Sequence, residues 1–187
     1  MFRMSVDVST PQLDAIAARL DSAGRERMHR EIASELSETV RDHLRDYALS
    51  HHATAARLGA RPTGHLEDAN VEATSDADGA TVTVRALGIR RALGPVEIRP
   101  RGKSALTIPV AAIAYGRSVG YLKARGVEIF RPKGKNYLAT TEGKEVLPLY
   151  ILAKRATLKH EPGLLPTRDT LAAHALEAAR EYAMEAS

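Results

Sequence analysis

Three groups of side chains in this sequence have types and spacings that could do chemistry. The first is GRSVG, Gly116 to Gly120, which fits the G-x-S-x-G pattern of a hydrolase nucleophile elbow. Such an elbow exposes its serine between a strand and a helix, with an Asp and a His following in the chain. Ser118 would be the nucleophile, and Asp169 and His174 follow in that order. The context opposes this reading. The run before the serine contains Pro109 and is rich in alanine, and no alternating β/α pattern builds a parallel sheet. The stretch is expected to be a surface loop. The second group is the histidines, His29, His43, His51, His52, His65, His160 and His174. None forms an H-E-x-x-H or comparable pair suited to zinc. His51 and His52 stand at a helix end, where the dipole favours cations. The third group is IFRPKGKNYLA, Ile129 to Ala139. A phosphate-binding P-loop needs a glycine where Ile129 stands and a Ser or Thr where Asn136 stands. The expectation is therefore no catalytic residue, no metal site and no cofactor, and a protein that is not an enzyme.

What remains is charge. The net charge is +4, unevenly spread. Residues 1–84 carry −5, residues 85–159 carry +12 and residues 160–187 carry −3. A basic centre between acidic ends predicts a directed field. Two readings stand: contact with nucleic acid or an acidic partner, or acidic helices packed on basic strands of the same chain or a neighbour. Arg99, Arg101 and Lys103, with Arg131, Lys133 and Lys135, are the candidate contacts for DNA or a partner. Base stacking has little to work with, because the chain has no Trp and two Phe; Tyr115, Tyr121, Tyr137 and Tyr150 lie near basic residues. No helix-turn-helix or zinc-finger pattern occurs. The absence of cysteine excludes disulfides, thiolate metal sites and cysteine nucleophiles. No apolar run approaches the roughly 18 residues of a membrane span, and no signal-peptide core precedes Pro11. The expectation is a soluble product of the cytoplasm.

The elements that must carry these residues follow from periodicity. Ser9 or Thr10 before Pro11 signals a helix start, with a short helix to about Asp21 that Gly24 interrupts. Residues 1–24 thus read as an N-terminal arm or short helix. Residues 25–50 read as one long helix in which Met28, Ile32, Leu36, Val40, Leu44 and Ala48 recur every four residues. That spacing turns the apolar stripe about 40° per step on a 3.6-residue repeat. Different neighbours must cover its two ends, either through a bent helix or in an adjacent protomer. Met28, Ile32, Leu36, Val40 and Leu44 are therefore a candidate subunit interface. HLEDANVEA, from His65, reads as a short helix. The period then changes to two: ATVTVRAL, PVEIR, SALTIPV, VEIF, NYLAT and VLPLYILAKRATL are strand candidates. Pro148 places the last of them at an edge or bulge. Thr167 caps a terminal helix. The fold class expected is α+β in a single domain over 1–187, with long N-terminal helices and a C-terminal helix packed on an antiparallel β-sheet or small sandwich with extended hairpins.

The order of these segments is similar to a known family. A long helix followed by RLGARPTGHLEDA, then ATVTVRALGIRR, ALTIPVAAIAYGRS, FRPKGKNYLA, PLYILAKRATLKHEPGLLPT and a terminal helix resembles the tailed-phage virion-morphogenesis, or tail-completion, family over residues 25–185. The chain departs from it at RRALGPVEIRP, where the family more often has a histidine and a glycine pair. The resemblance implies a structural virion protein of the neck or tail top, assembled in the host cytoplasm. It implies a homo-oligomeric ring, hexamer or dodecamer, meeting connector or adaptor and tail-tube or tail-terminator proteins. Genomic DNA would pass through the lumen without sequence specificity, and no membrane is involved. No catalytic residue is carried over. The alternative is a non-enzymatic nucleic-acid-binding module that uses the basic 85–159 segment.

Overall fold

A computed structural model describes residues 10–51, 53–61, 66, 69–86 and 88–185. In chain order the helices are α1 (Pro11–Ala17), α2 (Ser22–Ser50), α3 (Ala53–Arg57), α4 (Val119–Ala124) and α5 (Arg168–Glu185). The strands are β1 (Asn70–Ser75), β2 (Ala80–Arg85), β3 (Val96–Ile98), β4 (Leu106–Pro109), β5 (Tyr137–Glu142), β6 (Glu145–Ala153) and β7 (Ala156–Leu158). The protein is α+β, and all strand pairings among the described residues are antiparallel. The chain divides into two compact units, a subdivision the sequence pattern does not draw: Met1–Ser50 with Gly64–Gly94 and Glu161–Ser187, and His51–Thr63 with Pro95–His160. No described helix is long and apolar enough to cross a membrane.

The first unit is built on α2. Thr10 caps α1 by accepting from the Leu13 N–H; Ser9 lies outside the described residues. Gly24 does not interrupt the long helix. Asp21 caps α2, its Oδ1 accepting from the Gly24 N–H at 2.7 Å, so the glycine sits in the first turn, where the capping loop folds close over it. Met28, Ile32, Leu36, Val40 and Leu44 are all buried in this unit's own core. This corrects the subunit-interface expectation, since residues already packed inside one chain offer no surface to another. The rotation of the stripe is real, and it is met within the unit. α2 packs on α5, on the β1–β2 hairpin and on the turn at Pro162–Leu164. Polar contacts mark the same path along the helix. His29 Nδ1 lies 2.8 Å from the Asp76 carbonyl in the hairpin turn, and Glu35 meets His174 of α5 at 2.8 Å. Arg41 donates to the Val71 carbonyl at 2.9 Å, and His43 Nε2 lies 2.9 Å from the Gly163 carbonyl. Further along, Tyr47 donates to Glu161, which also pairs with Arg91 at 2.7 Å.

The helix expected from His65 is corrected in its described part. Residues 70–75 form β1 and pair with β2, which sets Val71 opposite Val84 with both buried; residues 65, 67 and 68 lie outside the described residues. Asp76 closes the hairpin, its Oδ1 accepting from the N–H groups of Asp78 and Gly79 at 2.9 and 3.0 Å. Thr167 caps α5 through the Thr170 N–H at 3.1 Å, and Leu171, Ala175, Ala178 and Ala179 bury its apolar face.

In the second unit β6 is the central strand of a sheet ordered β4-β6-β5, and β3 pairs with β7. Pro148 is therefore not at an edge. It stands at the irregularity where the β5 register slips between Leu138 and Ala139. A residue without an N–H is tolerated there because the ladder is locally broken. The slip lets consecutive Leu149 and Tyr150 both bury, and they form a small core with Ala114 and Leu122. VEIF does not form a strand. Of that segment only Phe130 pairs, in a single bridge to Ala139.

Candidate nucleic-acid interface

The register of the second unit decides where its cations go. β4 begins at Leu106, opposite Ala153. β5 begins at Tyr137, opposite Ile151. β6 ends at Ala153, and two residues later β7 begins at Ala156, opposite Ile98 of β3. So the β3–β4 link, the β6–β7 link and the loop entering β5 all meet at one place, the break between the two sheets. The Leu152 N–H donates to the Asn136 carbonyl at 2.8 Å and ties the β5 loop there. The first link carries Arg99, Arg101 and Lys103, the second Lys154 and Arg155, and the loop Arg131, Lys133 and Lys135. All eight side chains belong to exposed residues.

The eight are not equivalent. Glu97 pairs with Arg99 at 2.7 Å and with Arg155 at 3.8 Å. Arg131 folds back on its own loop, donating to the Lys135 carbonyl at 2.8 Å and to Asn136 Oδ1. It shapes the turn that Gly134, at φ 74°, and the Lys135-to-Pro132 hydrogen bond make. Arg101, Lys103, Lys133, Lys135 and Lys154 form no ion pair with a described residue. The two segments that carry the six cations expected from the sequence thus flank the same end of β6. Lys154 and Arg155 were missed. The signal was available in LAKRATL, because a short basic break between two apolar strand runs must fall at the end of both.

Charge segregates by unit. The unit containing Pro95–His160 holds 15 Lys/Arg against 4 Asp/Glu, and the other holds 12 against 19. The opposite end of the three-stranded sheet, at Glu142-Gly143-Lys144-Glu145, lacks the positive excess. The cations therefore create a local field at the sheet break, suited to attracting phosphate without reading bases.

Among the tyrosines, Tyr150 is 1% exposed and donates to the Arg117 carbonyl at 2.9 Å. It is a core residue, and burial raises its pKa against the opposing charge of Arg117. Tyr121 is 41% exposed and lies 4.8 Å from the Arg125 guanidinium and 5.8 Å from that of Arg117. Ser118 is a helix cap, not an elbow. Its backbone is extended, at φ −83° and ψ 158°, and its Oγ accepts from the Tyr121 N–H. A nucleophile elbow holds its serine in a strained turn. His174 is engaged with Glu35. No group of three metal-ligating side chains gathers among the described residues; His52 and His65 lie outside them.

No protein-family model, curated protein or solved structure matches the chain.

Proposed function

We propose that this chain is a structural phage virion protein that forms a ring at the neck or tail top, where it joins or completes head and tail while DNA passes through. The observation that carries the reading is that three chain segments bearing eight exposed cations flank one sheet break. A lumen around moving DNA calls for phosphate attraction without sequence specificity, which loops rich in Lys and Arg supply. The opposite net charges of the two units suit head-to-tail contact between identical copies. The ordered segments that resemble the tail-completion family support the same reading. Connector and tail-tube proteins are its partners on this account, and it has no catalytic duty. Electron microscopy of virions tests it: density for this chain is expected as a ring at the head–tail junction or tail top, and its absence from both places would sink the idea.

The same cations support a second reading, a nucleic-acid-binding module that works without assembling. In that case a monomer binds duplex DNA with a steep salt dependence, and no ring forms with connector or tail proteins present.

A further inference from the structure

The second unit leaves its sheet unfinished. Beside its small core lies an open cleft of about 990 Å³. Residues 110–113, 126–128 and 140–142 line it, together with Leu147 and Pro148. The cleft exists because a ladder stops. Phe130 and Ala139 exchange both backbone hydrogen bonds at 2.9 Å. Going back from Phe130, residues 126–128 form no strand along residues 140–142; both segments border the cleft instead. β5 is the last strand in the order β4-β6-β5, and its bridge to Phe130 covers one residue of the free edge. The period-two geometry of a strand points the N–H and C=O of Thr141 to the same side as those of Ala139. Among the described residues, an open backbone edge thus borders a cleft with Val110, Val127 and Leu147 in its lining and Ile113, 40% exposed, in its wall. Edges of this kind accept an extended segment whose alternate side chains are apolar.

The sequence contains such a segment. Residues 1–9, outside the described residues, read MFRMSVDVS: Phe2, Met4, Val6 and Val8 alternate with Arg3, Ser5, Asp7 and Ser9. That is the pattern of a strand with one apolar face. Nine extended residues reach about 30 Å, more than the edge that residues 140–142 leave open beyond the Phe130 bridge.

We propose that residues 1–9 of one copy add as a strand to the free edge of β5 in a second copy, with Phe2, Met4, Val6 and Val8 facing the cleft. This rests on the ring reading above and gives it a physical link. Donor and acceptor surfaces differ, so each copy donates one strand and accepts one, the heterologous contact from which rings are made.

Two full-length variants test it. The donor variant carries Phe2→Asp and Val6→Asp. The acceptor variant carries Thr141→Pro, which removes the outward N–H at a position an edge strand tolerates. Ile113→Asp is a second acceptor variant that leaves the backbone alone. Sedimentation velocity is expected to show self-association of the parent chain, and at least a tenfold weaker association for each variant alone. An equimolar mixture of donor and acceptor variants is expected to stop at a one-to-one dimer, because only one competent strand-and-edge pair remains. Parent-like association of the donor variant, or of both acceptor variants, overturns the proposal and leaves the ring reading in place. A mixture of folded variants that stays monomeric also overturns it. A parent chain that stays monomeric even with connector and tail proteins overturns the ring reading instead. A labelled peptide of residues 1–9 then decides the site: binding to the parent chain that is lost in Ile113→Asp supports it, and equal binding to both overturns it.

Discussion

Replacing Lys133 and Lys135 together by alanine is expected to flatten the salt dependence of duplex-DNA binding, by an amount the structure sets. Of the eight cations at the sheet break, Arg99 and Arg155 are engaged with Glu97 and Arg131 with its own loop. Arg101, Lys103, Lys133, Lys135 and Lys154 remain to meet phosphate. Five phosphate contacts correspond to a slope of log K against log salt of about −4.5, at roughly −0.9 per contact. Between 50 and 200 mM salt the parent should therefore lose about 500-fold in affinity. The double variant keeps three contacts, a slope of about −2.7 and a loss of about 40-fold over the same range. Both lysines are exposed and away from the core, so folding is not at stake. Fluorescence anisotropy with a labelled duplex of arbitrary sequence measures the slope. Lys144→Ala, at the turn on the other end of the sheet, is the control and should keep the parent slope. A double variant that retains the parent slope, or a Lys144 variant that loses as much, would show that the sheet break is not where DNA is held.

The remaining predictions concern stability. Leu44→Ala should cost about 3 kcal/mol in urea unfolding, because Leu44 is 1% exposed inside its own unit; an equal loss in dilute and concentrated protein checks that the α2 stripe is core and not interface. Thr39→Val should raise stability by about 1 kcal/mol, since the buried Thr39 Oγ1 has no hydrogen-bond partner among the described residues. Tyr47 has its pKa pushed up to about 12 by burial first and then by its hydrogen bond to Glu161 and the charge of that carboxylate, with Arg91 opposing. A raised pKa means the folded state holds the proton that the unfolded chain releases near pH 10. Stability from this group is full below pH 10 and is lost as pH rises from about 10 to about 12, by roughly 2–3 kcal/mol. Tyr47→Phe should remove that part of the alkaline decline in Tm and leave the smaller one of the same sign from Tyr150.

How much was legible depends on how local the cause was. The caps at Thr10 and Thr167 and the period-two runs other than VEIF each need only a few neighbouring residues, and the structure has them where the pattern puts them. Gly24 misled because intrinsic propensity marks a glycine as a break, whereas a close-packed cap can hold one in a first turn. Residues 70–75 misled because a short segment with one central valine has too little period to choose between helix and strand. VEIF has the composition of a strand but met an edge where only Phe130 could pair. Of the candidate interface, the two basic clusters were readable as charge, while Lys154 and Arg155 needed the strand register to be counted with them.

By itself the sequence determined the α+β class, the four-residue stripe of α2, the helix caps and the placing of positive charge in residues 85–159. All of these are properties of composition or of short-range period. Three things were decided only by tertiary structure. The turning stripe was consumed inside one unit, because α5, a hairpin and the turn at Pro162–Leu164 pack around it. Segments from both ends and the middle of the chain joined into one acidic unit, which no linear charge count can show. The antiparallel register brought residues 99–103, 131–135 and 154–155 to one sheet break, because strand pairing joins points of the chain that its order keeps apart.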